Sequence, residues 1–433
     1  MPVHSTLSSA ETDAAGVSAF WAWSVLGLVA LGHFAWWLRV SNAAHATAWP
    51  KGLVRAVSLA SQVVAAVGVL ALGLAGGKAA LRGIAPLLEL PAAWGLGPPG
   101  RWAAWGYGGF CLLWAVKTLA LWSWSRWQGP PAELLEEKRL RYHRPLVSPH
   151  DDSPWTTLPP NTPALQSEHR LLQLPGNQSL HLEVNQRRLL VPGLAPELDG
   201  LRVVHFSDLH LAGAVPREFF QLAVEQAMLL QPELVAVTGD LVDRPECLPW
   251  LPEVLAPLRA PGGVLVVLGN HDRRLGAARL VQCLEQLDNL LYLGGRCVLL
   301  RVRGQNVLVA GSSWPWVGPR PDPQEAIQAA SHEPVGLRLL VTHSPDEFPW
   351  AAGRGFQLVL AGHVHGGQIR LPLAGPLVAP SRYGVKYATG SVYRRGGAVM
   401  HVSRGLSGKC PLRFGCPPEL TCLVLHAAQE VPR

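Results

Sequence analysis

Two long stretches without a charged side chain constrain this sequence more than any other feature. Between Asp13 and Arg39 lie 25 residues with no Lys, Arg, Asp or Glu, and between Arg55 and Lys78 lie 22 more. Each is long enough to cross about 30 Å of hydrocarbon as a helix. A third span is expected over 102–124, interrupted by Lys117, which sits close enough to one end to snorkel. The reading is an all-α transmembrane region over 1–127, with spans at 17–39, 55–77 and 102–124. The apolar, proline-containing stretch Ile84–Pro99 reads as an interfacial loop. Only Glu11 and Asp13 precede the first span. A cleavable signal needs a basic leader, so this span is expected to be retained.

Composition agrees with that division. Charged residues make up 15% of the chain, against about 25% for a soluble domain. Twelve of the 17 tryptophans lie at or before Trp127, and Trp favours membrane interfaces. Most of the net charge of +7 also belongs to this front portion. No nucleic-acid-binding face is indicated, because that would need Lys and Arg clustered on the folded domain. Cys111, Cys247, Cys283, Cys297, Cys410, Cys416 and Cys422 are odd in number and contain no C-x-x-C pair, so no zinc finger or redox motif is suggested. Pairing among Cys410, Cys416 and Cys422 is left open.

Residues 128–166 read as a linker. It starts with a charged patch, Glu133–Arg144, expected as a short helix, and continues through the Pro-rich Pro145–Pro163. With three spans, eight basic residues fall on the side of the C-terminal domain: Arg39, Lys51, Arg55, Arg126, Lys138, Arg139, Arg141 and Arg144. Lys78, Arg82 and Arg101 fall on the other side. The positive-inside rule then places the C-terminal domain in the cytoplasm.

From 167 to 433 the pattern becomes that of a folded α/β domain. Strands are expected at Arg202–Phe206, Leu234–Val237, Val264–Leu268, Cys297–Val302, Val307–Ala310, Leu337–Val341, Leu358–Leu360, Ala398–Val402 and Thr421–Leu425. Helices are expected at Pro216–Leu230, Glu246–Leu258 and Leu275–Leu287. Two packed sheets flanked by helices accommodate this order.

Five short motifs sit just after expected strands: Ser207-Asp208-Leu209-His210, Gly239-Asp240-Leu241-Val242-Asp243, Gly269-Asn270-His271-Asp272, Thr342-His343 and Gly362-His363-Val364-His365. Sites in α/β folds gather outside the carboxyl ends of strands, so all five can face one crevice. Residues two apart in an extended segment point the same way, which lets Asp208 and His210, or His363 and His365, grip one ion. Asp240 has two oxygens and can bridge two ions. Asn270 adds a neutral oxygen and His343 another nitrogen. Mixed N/O ligands without thiolate suit Mn, Fe or Zn. Taken singly, Asp-x-His, Gly-Asp and His-x-His are weak signals; the five together, in this order, are not. His205, His332, His401 and His426 read as core-edge or surface histidines. Asp243 and Asp272 read as residues that shape the site without binding metal.

This series resembles the calcineurin-like metallophosphoesterases. Leu201-Arg-Val-Val-His-Phe-Ser-Asp-Leu-His210, Gly362-His-Val-His-Gly-Gly-Gln368 and Val402-Ser-Arg-Gly-Leu406 are similar to the membrane-attached bacterial branch. The resemblance covers about residues 180–427. Spans ahead of such a domain are similar in architecture to transmembrane metallophosphoesterases. It implies a four-layer β-sandwich flanked by helices and two divalent metal ions. One ion would take Asp208, His210, Asp240 and His365; the other would take Asp240, Asn270, His343 and His363. His271 would contact phosphate and protonate the leaving oxygen. Gly311-Ser-Ser-Trp-Pro-Trp316 and Ser407 depart from the family pattern, at positions that bear on substrate shape.

The expected function is hydrolysis of a phosphodiester, phosphomonoester or pyrophosphate by metal-activated water at the bacterial inner membrane. The bilayer anchor motivates a lipid-linked substrate, a UDP-acylated sugar being one option. A catalytically silent metal-binding scaffold or sensor is the alternative. Arg382, Tyr383, Lys386 and Arg404 are further residues whose contact with substrate the sequence leaves open. Neither a Gly-x-x-x-x-Gly-Lys-Ser/Thr loop nor a Gly-x-Ser-x-Gly elbow occurs.

Overall fold

The computed structural model describes residues 9–81, 89, 91–92, 95–127, 130–143, 168, 170–324, 334–388 and 391–427. The chain forms two compact units, Met1–Gly129 and Pro130–Arg433. Half of the Ile84–Pro99 loop, the whole Pro145–Pro163 stretch and His332 lie outside the described residues.

The first unit contains the helices α1 (Ser9–His45), α2 (Lys51–Ala71) and α3 (Pro98–Trp127). Two helical stretches, Val17–His45 and Lys51–Leu74, are long and apolar enough to cross a bilayer. Two of the three expected spans therefore meet that standard; α3, with Arg101 and Lys117, does not. Trp36 of α1 packs edge-on against Phe110 and Trp114 of α3, at 5.0 and 4.8 Å between ring centres. The buried polar groups pair across helices: His33 meets Tyr107 at 2.6 Å and the Val64 carbonyl at 3.0 Å.

The second unit is a four-layer sandwich. Its elements are β1 (Leu134–His143), β2 (Leu182–Val191), β3 (Leu201–Phe206), α4 (Arg217–Leu229), β4 (Leu234–Thr238), α5 (Trp250–Leu255), β5 (Val264–Val267), α6 (Asn270–Leu275), α7 (Ala277–Glu285), β6 (Leu290–Tyr292), β7 (Cys297–Val302), β8 (Gln305–Ser312), β9 (Val335–Thr342), α8 (Phe348–Gly353), β10 (Leu358–Ala361), β11 (Arg370–Leu371), β12 (Gly375–Pro376), β13 (Val392–Arg395), β14 (Ala398–Val402) and β15 (Glu419–Ala427). One sheet has the order β1-β2-β15-β3-β4-β5-β6 and the other β13-β14-β10-β9-β8-β7.

Strand alternation divides the core. Leu201 and Val203 of β3 face the other sheet, where they join Leu339, Leu358 and Val399. Val204 and Phe206 face outward, against Phe220, Val224 and Trp250 of the covering helices. A third apolar layer forms outside the second sheet, from Leu340, Val359 and Met400 with Phe348 and Tyr387. β3, β4 and β5 run parallel, as do β8, β9, β10 and β14. Both bundles of parallel strands therefore send their carboxyl ends toward one edge of the sandwich.

The charged patch Glu133–Arg144 is not a helix. Its residues form β1, an antiparallel edge strand paired with β2 from Leu134↔Leu189 to His143↔Leu182. An edge strand protects its open side with charge, and here that charge imitates a helix surface. All seven cysteines are free thiols.

Candidate metal centre

The five motifs meet at that edge. Asp208 and His210 follow β3, Asp240 follows β4, Asn270 and His271 open α6 after β5, His343 follows β9, and His363 and His365 follow β10. Each strand holds its motif in place through buried ladder bonds, while the loop turns sharply to aim the side chain. Nine residues other than glycine have a positive φ among the described residues; five are Asp208 (55°), His210 (44°), Asp240 (53°), His363 (70°) and His365 (50°). Such backbone costs about 1–3 kcal/mol per residue and clusters at functional sites. Gly239, at φ 84°, precedes Asp240, and a Cβ there would lie 2.8 Å from His343 Nδ1. Only glycine lets β4 and the His343 ring come this close.

The donors converge in two groups that share one carboxylate. In the first, His210 Nε2 lies 3.8 Å from Asp208 Oδ1, 3.5 Å from Asp240 Oδ2 and 3.3 Å from His365 Nε2; His365 Nε2 is 3.6 Å from Asp208 Oδ1. In the second, His343 Nε2 lies 3.4 Å from the same Asp240 Oδ2, 3.2 Å from Asn270 Oδ1 and 3.1 Å from His363 Nδ1. The groups Asp208/His210/Asp240/His365 and Asp240/His343/His363 have spacings that can hold a metal ion.

The outer hydrogen bonds fix which nitrogens are bare. His210 Nδ1 donates to Asp243 Oδ1 at 3.1 Å, and His365 Nδ1 donates to the Ser407 carbonyl at 3.1 Å. His343 Nδ1 donates to the Thr238 carbonyl at 2.6 Å. A neutral imidazole has one N–H, so Nε2 of each ring carries a lone pair pointed at other lone pairs. That arrangement suits a cation at the point of convergence.

Electrostatics act the same way. Burial pulls the His210 pKa down, but Asp243, Asp240 and Asp208 outweigh it and raise it to about 9. His343 is likewise raised to about 9, burial being outweighed mainly by Asp240. Burial pushes Asp240 up, yet His343, His271 and His210 hold it well below the usual carboxylate range. Burial keeps His365 down, at about 4, and His363 well below the ordinary imidazole value. The carboxylates that would hold a second proton, on Nε2 of His210 and His343, equally favour a divalent cation in that proton's place, with Nε2 then bare.

Asp243 and Asp272 brace the centre from behind. Asp243 Oδ1 also accepts from His271 Nδ1 at 2.6 Å. The buried Asp272 carboxylate accepts the N–H groups of Leu241, Val242 and Gly269, joining two of the motif loops. Burial, then the nearby Asp240, raises its pKa to about 7. His271 is partly open to solvent, and its Nε2 accepts from Arg274 at 3.1 Å.

The sequence pattern of calcineurin-like phosphoesterases matches residues 201–367. The chain is 32% identical to the uncharacterized metallophosphoesterase YkuE of Bacillus subtilis over 234 residues, covering 53% of this chain and 80% of that one. This chain is a calcineurin-like metallophosphoesterase. As a member of that family it is a hydrolase of phosphoric esters. The metallophosphoesterase is also 28% identical to a bovine transmembrane protein with a metallophosphoesterase domain, over 54% of this chain and 55% of that one. To the UDP-2,3-diacylglucosamine pyrophosphatase LpxG of Chlamydia muridarum it is 24% identical, over 55% of this chain and 89% of that one.

Other residues of this metallophosphoesterase have places the sequence did not disclose. Arg404 is half-buried and its guanidinium is bound to Glu419 at 2.8 Å and Glu183 at 2.6 Å, so two carboxylates of the fold hold it. His205 and His401 are fully buried between the sheets, not at a surface, and His426 sits at the sandwich edge beside Asp199. Arg382 is exposed, with its guanidinium 5.3 Å from the Trp314 ring; Tyr383 packs on Tyr387 at 5.3 Å and Lys386 lies 5.5 Å from that ring. Trp316, singled out in sequence only within a segment that bears on substrate shape, packs its ring 4.7 Å from His363 and 5.5 Å from His343. The signal was present: Trp316 also lies just after an expected strand, as the five motifs do. Sequence reasoning missed Gly405, at φ 76°, as a residue of the site; a Cβ there would lie 2.8 Å from Asp208 Cβ.

Proposed function

We propose that this chain is a membrane-anchored phosphoesterase with two divalent cations at the edge of its sandwich. Asp208, His210, Asp240 and His365 would hold one, and Asp240, Asn270, His343 and His363 the other. The observation that carries this is the set of bare imidazole nitrogens aimed at common points, with their opposite nitrogens tied down.

The cations supply charge that acidifies water and neutralises phosphate oxygens. The rest falls to the side chains. Asp243 orients His271 through Nδ1–H and supports the doubly protonated ring, whose Nε2–H would face substrate and pass its proton to the departing oxygen, leaving the neutral imidazole. Arg274, 3.1 Å from that Nε2, gives a positive neighbour to the phosphate. Trp316 covers the His343 and His363 rings and excludes water from that side.

The anchor comprises the membrane-length helices at 17–45 and 51–74. The distribution of basic residues supports a cytoplasmic catalytic unit at a bacterial inner membrane. A site confined beside a bilayer favours a lipid-linked phosphoester, and the likeness to LpxG supports a UDP-linked acylated sugar as one such substrate. Mn, Fe and Zn suit the donor set.

The test uses the full chain in mild detergent, loaded with Mn, Fe or Zn. About two ions per chain are expected, with hydrolysis of p-nitrophenyl phosphoesters and release of UMP from a UDP-linked acylated sugar. Fewer than two ions and no hydrolysis of any phosphoester would refute the reading. Activity on soluble esters alone would refute its lipid-linked part.

A further inference from the structure

The catalytic unit carries an apolar hairpin immediately beyond its last metal-site motif. Ten large apolar side chains are exposed among the described residues of this unit, and five of them fall within residues 369–383: Ile369, Leu371, Leu373, Val378 and Tyr383. Leu373, near the hairpin tip, is 82% exposed. Surface strands ordinarily alternate, with polar residues toward water. Here the alternation is inverted. Ile369, Leu371 and Leu373 share the outward side, while Arg370 turns inward and donates to the carbonyls of Gly366 at 2.9 Å and Ala388 at 2.8 Å.

The hairpin is rooted in the metal centre. Gln368 N–H donates to the His365 carbonyl at 3.1 Å, and Arg370 N–H to Phe414 at 2.9 Å. β11 and β12 then close the hairpin by pairing Arg370↔Pro376 and Leu371↔Gly375. The outward apolar face therefore stands on a fixed base at the mouth of the site.

Charge indicates what it meets. From Phe348 to Pro418 the sequence has no Asp or Glu in 71 residues, against nine Lys and Arg. Arg382 and Lys386, just beyond the hairpin, are exposed. Apolar side chains beside exposed cations are the chemistry of an interfacial lipid contact. Asp346, the carboxylate bonded to residues 381 and 382, is turned inward to Ser381 Oγ and the Arg382 N–H. The same chain carries two helices of membrane-crossing length, so a bilayer is the surface at hand.

We infer that the hairpin 369–378, flanked by Arg382 and Lys386, inserts its apolar face into an anionic leaflet and so turns the catalytic edge toward the membrane. This goes beyond the anchoring helices: the catalytic unit itself reads the lipid surface. It rests on the phosphoesterase reading only for the activity measurement below.

The experiment reconstitutes the full chain in nanodiscs of phosphatidylcholine alone or of phosphatidylcholine with phosphatidylglycerol. Amide hydrogen exchange is followed in peptides covering 369–383. Exchange should slow by at least about fivefold in the anionic discs relative to the neutral ones. The pair Leu371→Asp and Leu373→Asp should abolish that protection, whereas Leu229→Asp, an exposed leucine on α4, should leave it. In the anionic discs the pair should also lower turnover of an embedded phosphodiester lipid by at least about tenfold. Its rate on bis(p-nitrophenyl) phosphate should stay within about twofold, which also shows that the variant folds. Equal exchange in both discs, protection that survives the double variant, or equal loss on both substrates would overturn the inference. Lipid-dependent protection in a chain that hydrolyses nothing would instead sink the phosphoesterase reading and leave the hairpin standing.

Discussion

Two of the histidine pairs that face each other in this protein differ in one respect. His205 and His401 lie between the sheets, with their Nδ1 atoms 2.7 Å apart. Arg187 donates to His401 Nε2 at 2.8 Å, and His205 Nε2 donates to Thr238 Oγ1 at 3.0 Å. His401 Nδ1–H can then donate to His205 Nδ1, and every nitrogen is satisfied by protein alone. His210 and His365 have Nε2 atoms 3.3 Å apart, but their outer nitrogens already use the N–H groups. With both rings neutral, two lone pairs face one another, and only an added proton or a cation can satisfy them. Proximity of imidazoles therefore does not mark a metal site; the direction of their protons does.

That contrast can be broken at either pair. The largest effect is expected at the shared carboxylate: Asp240→Asn should lower turnover of a soluble phosphodiester by on the order of 10²–10³-fold, with metal content falling below that of the native chain. Both are read by steady-state rates and elemental analysis. Asp243→Asn keeps the shape but weakens the hold on His210 and His271. A loss of about 10–100-fold in metal affinity or activity is expected, measured by titrating the metal-depleted protein. His401→Leu addresses the other pair. It takes one buried partner from Arg187, which keeps Thr421 and Glu419, and one from His205, which keeps Thr238, so denaturant titration should show about 1–3 kcal/mol of lost stability while bound metal stays unchanged.

The smallest effect concerns pH. Burial holds the His205 pKa down, at about 3, and His401 well below 6.5. The folded chain keeps both neutral, while the unfolded chain protonates them below about 6.5. Stability is thus complete above that pH and falls as pH drops below about 6.5, because only the unfolded chain takes up those protons. The slope should diminish in the His401→Leu protein. A slope unchanged by that substitution would assign it to other groups.

The convergence of the five motifs was legible because each sits at the end of an apolar strand, where Asp, Asn or His stands out against Val and Leu. The inter-sheet network was not legible for the opposite reason. β2 places Glu183, Asn185 and Arg187 on the same side as Leu189 and Val191, against the second sheet. Arg187 pairs with Glu419, and Glu183 with Arg404. Read linearly, that strand looks solvated, because its partners lie more than 200 residues away. The edge strand β1 was hidden by its surface charge, and Arg404 drew attention as a substrate contact because its two carboxylate partners are remote in sequence. In each case the missing information was the identity of a distant partner, not the character of the residue.

The left-handed turns at Asp208, His210, Asp240, His363 and His365 carry one more implication. Strand ends and loop hydrogen bonds of the sandwich itself hold these turns, so we expect the fold to meet their conformational expense without help from an ion. Chelation should therefore empty the site while the sheets remain assembled, and re-addition should restore turnover at the pace of diffusion rather than of refolding.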